Sequence, residues 1–386
     1  MLRVLTLATL FPDSGRLDFG RFVLRQTQAL AAREGVEVAV VAPIGLPAWP
    51  LSRHRHYAAR TRLPEREAFE GLRVSRPRFR VWPRIGEAGA ARAMAASVLP
   101  LARSLAPHVI DAEFFWPDGV AAMHVARALG IPFSVKARGS DIAYWGRRPQ
   151  VRRQMLEAAE AAGGLLAVSA ALIRDMAALG MAEERIAVHH TGIDLDRFRP
   201  GDRAAAKARL GVTGPLLASV GALVPVKGQA LAIAALAHLP EATLILAGDG
   251  PERAQLEAEA RRLGVAARVR FAGAVAHADL PPLLQAADAM VLPSEREGLA
   301  NAWVEALACG TPLVIPDVGG AREVLDRPAA GRIAAREPAA IAAAVRDILG
   351  QPPAPEEVRA AAARFSWEAN GAALHAHLAA LVRDTR

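Results

Sequence analysis

The chain has 386 residues, 52% of them hydrophobic, with 47 Lys+Arg against 39 Asp+Glu; this is too long for one ordinary core and ample for two. No run approaches the ~18–20 apolar residues of a membrane-spanning helix, and the single cysteine, Cys309, excludes an intrachain disulfide and suits a reducing compartment. The basic excess belongs to one half: residues 1–200 carry 28 basic and 19 acidic side chains, residues 201–386 carry 19 and 20.

Along the chain, short apolar strands alternate with alanine-rich helical stretches, the pattern of parallel α/β sheets. Val4–Thr9 reads as a first strand rather than a secretion signal, because no long apolar core or small-residue cleavage site surrounds it; a cytoplasmic location is expected. A helix over Phe22–Glu34 and a strand over Val36–Ala42 follow. Strands at Val109–Ala112, Phe133–Ala137, Leu165–Val168 and Ile186–His189, with a helix at Val120–Leu129, complete a first unit. Asp196–Val212 turns polar and reads as a linker with a short helix. Strands resume at Leu216–Val220, Thr243–Ala247, Val269–Ala272, Met290–Leu292 and Leu313–Ile315, with a helix at Ala230–Leu239. Gln351–Glu356 reads as a hinge, and Phe365–Val382 as a terminal helix capped by Ser366. The domain boundaries expected are 1–197, 198–364 and the helix 365–386.

The densest charge lies in Arg53–Arg92, eleven arginines with four acids, interleaved with Tyr57, Phe69, Phe79 and Trp82. A solvated arginine-rich face is one reading; contact with an anionic membrane or a phosphate-bearing acceptor is the other. Charge alone also admits nucleic acid, which is the weakest of the three.

Chemistry concentrates in loops that follow strands. Glu297 lies in the loop after Met290–Leu292, and Glu305 on the helix that loop opens, in S-E-R-E-G-L-A-N-A-W-V-E-A-L-A-C-G-T-P (Ser294–Pro312). Asn301 and Glu305, four apart, share a helix face. Backbone N–H groups at Gly298 and Leu299 suit an anion, and a helical carboxylate beside them can accept from both hydroxyls of a vicinal diol. A surface loop acid and a solvated helix residue explain the same spacing equally well. Lys227, before the helix-opening Gly228, suits a diphosphate. Gly248 and Gly250 form a tight turn after another strand. Arg138-Gly139-Ser140-Asp141 follows the strand ending at Ala137. Gly20 opens a helix and permits close backbone approach, and Trp116-Pro117-Asp118-Gly119 opens another on the same side. His189-His190 are neighbours on a strand and point to opposite faces, which disfavours a metal pair. No zinc-type spacing or phosphate-binding G-x-x-x-x-G-K-[ST] loop occurs.

Taken in order, these segments resemble the large retaining glycosyltransferase family 4. Glu297 and Glu305 match its E-x7-E motif, Gly221–Gly228 its G-R-L-x-x-x-K-G with Ala222 in place of arginine, and Gly248–Pro251 its G-x-G-P. Arg138–Asp141 matches its H-G-x-D with arginine in place of histidine. Asp194-Leu195-Asp196 falls in a structural N-G-V-D-like junction, so it is not read as a metal-binding D-x-D. The resemblance spans nearly the whole chain and is densest over Gly221–Val324. It implies a GT-B architecture, two Rossmann-like doubly wound parallel sheets facing a cleft, with the terminal helix returning to the first domain. It also implies retaining transfer of a hexosyl unit from a nucleoside diphosphate sugar, UDP-sugar ahead of GDP-mannose, without a metal or other cofactor. The expected catalytic residues are Glu297, Lys227 and Arg138. The expected donor residues are Glu305, Gly298, Leu299, Asn301, Gly248, Gly250, Gly273 and Gly20, and the acceptor side holds Trp116, Asp118 and Asp141. The acceptor expected is lipid-linked or polysaccharide, at the inner face of the cell membrane, in cell-surface glycan synthesis. Competing readings are a nucleotide-sugar epimerase of the same fold, a glycosidase using Glu297 and Glu305, and a non-catalytic basic binding module.

Overall fold

The computed structural model describes residues 1–17, 19–82 and 87–384; Arg84 of the basic block lies outside them. The chain forms two compact α/β units: Met1–Gly192 together with Trp367–Arg386, and Ile193–Ser366.

Among the described residues of the first unit, ten strands run β1 (Leu2–Leu7), β2 (Val36–Val41), β3 (Ile44–Leu46), β4 (Arg66–Phe69), β5 (Leu72–Ser75), β6 (Arg78–Arg80), β7 (Val109–Ala112), β8 (Phe133–Ala137), β9 (Gly164–Ala167) and β10 (Ile186–Val188). Eight make one sheet in the order β10-β9-β8-β7-β1-β2-β5-β4, and β3 pairs with β6. All pairs in the unit are parallel except the antiparallel β4–β5 ribbon at the edge. β7 and β8 are buried at every position, as expected of central parallel strands covered by helices on both faces.

In the second unit β11 (Leu216–Val220), β12 (Thr243–Ala247), β13 (Val269–Gly273), β14 (Ala289–Val291), β15 (Leu313–Ile315) and β16 (Gly331–Ile333) lie in the order β13-β12-β11-β14-β15-β16. This doubly wound order reverses between β11 and β14. Ligands of such sheets settle beyond the carboxyl ends of the strands at that reversal. In the first unit the reversal lies between β1 and β7.

The polar stretch after Asp196 is not a linker. Ile193, Phe198 and Val212 are buried in the core of the second unit, and Arg359 donates to the carbonyls of Leu195 and Phe198. These apolar anchors place the start of the second unit at Ile193. Gln351–Glu356 is likewise no hinge: Pro355 starts a helix, Pro355–Arg359, whose Val358 is fully buried. Phe365 belongs to the same core, and the terminal helix begins after it, at Trp367–Asp384. That helix lays Leu374 and Leu378 into the first unit's core beside Val4, Val23 and Leu24, and a side chain at Gly371 would press on the backbone of Ala29.

Candidate active site

Around the β11/β14 reversal of the second unit, three loops converge. β11 leads through Gly221 to the turn Pro225–Lys227 and the helix Gln229–Ala235. β12 ends at Gly248, whose N–H donates to the carbonyl of Gly273 at 2.7 Å. Gly248 has φ 152°, and a Cβ there would overlap the carbonyl oxygen of Gly221, so only glycine lets the two loops touch. Gly250 packs in the same way on Leu223.

β14 leads to Ser294 and Glu297. The Lys227 ammonium donates to Glu297 Oε1 at 2.6 Å, and the Ser294 hydroxyl donates to the same oxygen at 2.7 Å. The pair is partly shielded, with the lysine side chain 23% and the carboxylate 9% exposed, so its attraction is less screened than at an open surface. Next along the chain, Gly298 and Leu299 precede the helix Asn301–Ala308. Asn301 is exposed on its first turn and Glu305 is buried. The structure thus brings Lys227, Glu297, Gly298 and Leu299 onto adjoining loops at one end of one sheet, with Asn301 and Glu305 on the helix that the second loop opens.

Three neighbours carried no sequence signal. His277 Nε2 lies 2.8 Å from Glu305 Oε1, from a segment 28 residues away that no motif marks. Gly319 has φ 54°, and a side chain there would overlap the carbonyls of Glu297 and Gly298. Arg336 donates from Nε to the carbonyl of Pro293 at 3.0 Å, and its Nη2 would lie 3.5 Å from a Cβ on Gly228. It is a second cation near the Lys227 loop, where Ala222 supplies none. Cys309 is packed in the core, its thiol pushed up to about 12 by burial and by Glu305; it is inert packing.

In the first unit, the side chain of Arg138 is not open to a ligand. It is 5% exposed and paired with the fully buried Glu113, stacked over Phe22, with Nη2 also 3.2 Å from Gln26. The network continues inward. Gln26 donates to Glu113 and accepts from Lys136 Nζ at 2.7 Å. Lys136, fully buried, also faces His189 Nδ1 at 2.5 Å. His189 Nε2 lies 2.9 Å from the carbonyl of Asn370, which can only accept, so that nitrogen carries the hydrogen and Nδ1 accepts from Lys136. Burial, then Lys136, pushes His189 down to about 2, so it is neutral. Burial lowers Lys136 well below its ordinary value. Burial and Glu113 raise Asp111 well above its own. For Glu113 burial acts upward, but Arg138 and Lys136 outweigh it and hold it low.

Trp116, Asp118 and Asp141 lie beside this network and are all buried. Asp141 accepts from the backbone N–H groups of Phe115, Arg138 and Gly139 at 2.8–3.1 Å, so it ties two loops together instead of facing a ligand. Trp116 stacks on Trp145, ring centroids 4.0 Å apart. Gly20, at the N-terminus of the helix Arg21–Ala31, packs on the backbone of Leu10.

Asp118 accepts from the N–H of Thr9 at 2.9 Å, yet burial pushes it up to about 7 from 3.8. The folded chain therefore holds a proton there that the unfolded chain releases, and wild-type stability falls as pH rises from about 4 to about 7. Asp118→Asn removes that ionisation. Its stability relative to wild type should be greater at pH 8 than at pH 5, by roughly 2–4 kcal/mol, read from denaturant melts at both pH values. An equal difference at the two pH values would refute it.

Comparison with known proteins agrees with this geometry. Residues 202–365 match the family Glycosyl transferases group 1, and residues 19–197 match Glycosyltransferase Family 4. Over 149 residues the chain is 44% identical to D-inositol 3-phosphate glycosyltransferases of Mycobacterium tuberculosis and Mycobacterium bovis; the match covers 36% of this chain and 31% of those proteins. Among solved structures, sucrose-phosphate synthase from Thermosynechococcus elongatus superposes over 100% of both chains with a TM-score of 0.78 at 20% identity. HepE of Anabaena, in complex with UDP and glucose, covers 98% of this chain and is itself covered to 100%, with a TM-score of 0.73 at 22% identity. The fold is thus GT-B, and the chain belongs to glycosyltransferase family 4, whose model matches its first domain and whose companion group 1 model matches its second.

Proposed function

We propose that the chain moves a hexosyl unit from a nucleoside diphosphate sugar, UDP-sugar first, to a lipid-linked or polysaccharide acceptor with retention at the anomeric carbon. The observation that carries this reading is the Lys227–Glu297 pair beside Glu305 at the strand reversal of the second unit. The structures of HepE with UDP and with UDP-glucose support the choice of base. Glu305 would accept from both ribose hydroxyls and Glu297 from a sugar hydroxyl, each a charge-assisted hydrogen bond. Lys227 and the N–H groups of Gly298 and Leu299 would hold the diphosphate, a fixed set of donors aimed where negative charge develops. As the bond from the anomeric carbon to the β-phosphate oxygen breaks, the acceptor oxygen bonds on the same face. The phosphate oxygen takes the acceptor proton. Lys227 and these N–H groups would do the work of a metal. Among the described residues no three His, Cys, Asp or Glu side chains gather as metal ligands.

Membrane contact is proposed for the first unit, where Leu17, Trp49, Leu51 and Trp82 are exposed near the arginine-rich segment. No helix among the described residues is long and apolar enough to cross a membrane, so such contact would be peripheral.

The test is thermal stabilisation of the full chain by UDP, GDP, ADP and dTDP in EDTA, followed by transfer assays with the nucleotide-sugar of the winning base. The expected result is a shift from UDP and an axial-to-axial or equatorial-to-equatorial product by NMR. Donor conversion without acceptor would indicate an epimerase. No shift from any nucleotide would refute the reading. Flotation with anionic vesicles that survives neutralising Arg53, Arg60, Arg62 and Arg80 would refute the membrane arm.

A further inference from the structure

At the carboxyl ends of β1 and β2 the first unit has an open pocket of about 330 Å³, within the size range of small-molecule sites. Its walls are aromatic and aliphatic, with Phe11, Tyr57 and Phe79 among them, and three arginines line it: Arg16, Arg60 and Arg76. Their charge does not balance. Arg76 is spent, forking onto Glu67 at 2.6 and 2.8 Å and donating to the carbonyl of Pro12. Arg16 forks onto Asp13 at 2.7 and 3.0 Å. The Arg60 side chain is only half-exposed, yet among the described residues its guanidinium has no hydrogen-bond or ion-pair partner. Burial first, then the nearby Arg16 charge, holds its guanidinium below the ordinary arginine value. A half-buried guanidinium beside a second one, with Asp13 the one carboxylate among the described lining residues, leaves a site that an oxyanion completes. The apolar walls suit the face of a sugar or polyol ring.

We propose that this pocket grips the acceptor by an anionic group, a phosphate ester or carboxylate, held by Arg60 with Arg16. The inference rests on the reading above that the first unit holds the acceptor, and it narrows that acceptor to an anionic class. The anion belongs either to a small soluble acceptor or to a lipid headgroup. The guanidinium fork serves both.

The experiment uses the full chain and four soluble probes: inorganic phosphate, glucose 6-phosphate, glucuronate and glucose. Calorimetric titration should show the charged probes binding and glucose not. Arg60→Met should weaken the charged probes roughly ten- to hundredfold, and Arg60→Lys should restore part of the loss, which a merely misfolded variant would not. A lipid-borne anion would show instead as Arg60-dependent binding to phosphatidylcholine vesicles that carry phosphatidic acid, with the soluble probes silent. Binding of charged probes unaffected by Arg60→Met, equal binding of glucose, or no binding of any probe or vesicle would overturn the proposal. The wild-type UDP shift, measured in the same preparation, reports the donor reading separately. A chain that binds UDP but no anion would sink this inference alone.

Discussion

Glu305→Ala is expected to lower kcat/KM by roughly 10²–10⁴-fold and to abolish stabilisation by nucleotide. The carboxylate is 6% exposed, so an incoming ribose would find it already desolvated and held by His277. Two charge-assisted hydrogen bonds to a diol contribute about 1.5–3 kcal/mol each; their loss converts to that rate factor. Glu305→Gln keeps one acceptor oxygen and should fall between the two. His277→Ala, which leaves the carboxylate in place, should cost far less. Steady-state kinetics against donor concentration and UDP titration of each variant check this, with far-ultraviolet circular dichroism to confirm folding. A threefold loss or less in Glu305→Ala would remove the ribose role.

The second large effect concerns folding. Glu113 balances Arg138 and, through Gln26, Lys136 in a buried part of the first unit. Removing one partner of a buried pair leaves an uncompensated charge and costs about 3–5 kcal/mol. Glu113→Leu should therefore lower the melting temperature by roughly 6–20 °C, at about 2–4 °C per kcal/mol for a unit of this size. Glu113→Leu with Arg138→Leu should cost less than either single change, because neither member of the pair is then left as an uncompensated buried charge. Thermal denaturation of the three variants decides it. Additive losses would show that the residues act independently.

The parallel strands were legible because a strand covered on both faces is a continuous apolar run: β1, β2, β8, β11, β12 and β15 lie within a residue or two of the positions read from pattern. The region Arg53–Arg92 was legible only as charge. Its strands β5 and β6 alternate buried and outward residues, and β4 half-buried and outward ones; the outward ones are largely arginines, so the period of two was masked by the very composition that drew attention. The loops bearing Lys227, Glu297 and Glu305 were readable as motifs. The partner of Glu305 was not, because His277 reaches it through tertiary folding. Arg138 shows the opposite failure. Its position after a strand suggested a ligand contact, but nothing in the linear order announces Glu113 as its buried counter-ion. The apolar anchors Ile193 and Phe198 were hidden among charged neighbours and so read as linker.

The chain passes from the first unit to the second at Gly192 and returns at Trp367. Topologically, the second unit is an insertion into the first. During synthesis it emerges complete before the first unit has received Leu374 and Leu378, which fill its core beside Val4 and Leu24. The second unit is therefore one uninterrupted segment that can be excised as Ile193–Ser366. The other unit cannot be cut free at Gly192 without uncovering apolar surface; to stand alone it must have its two pieces spliced.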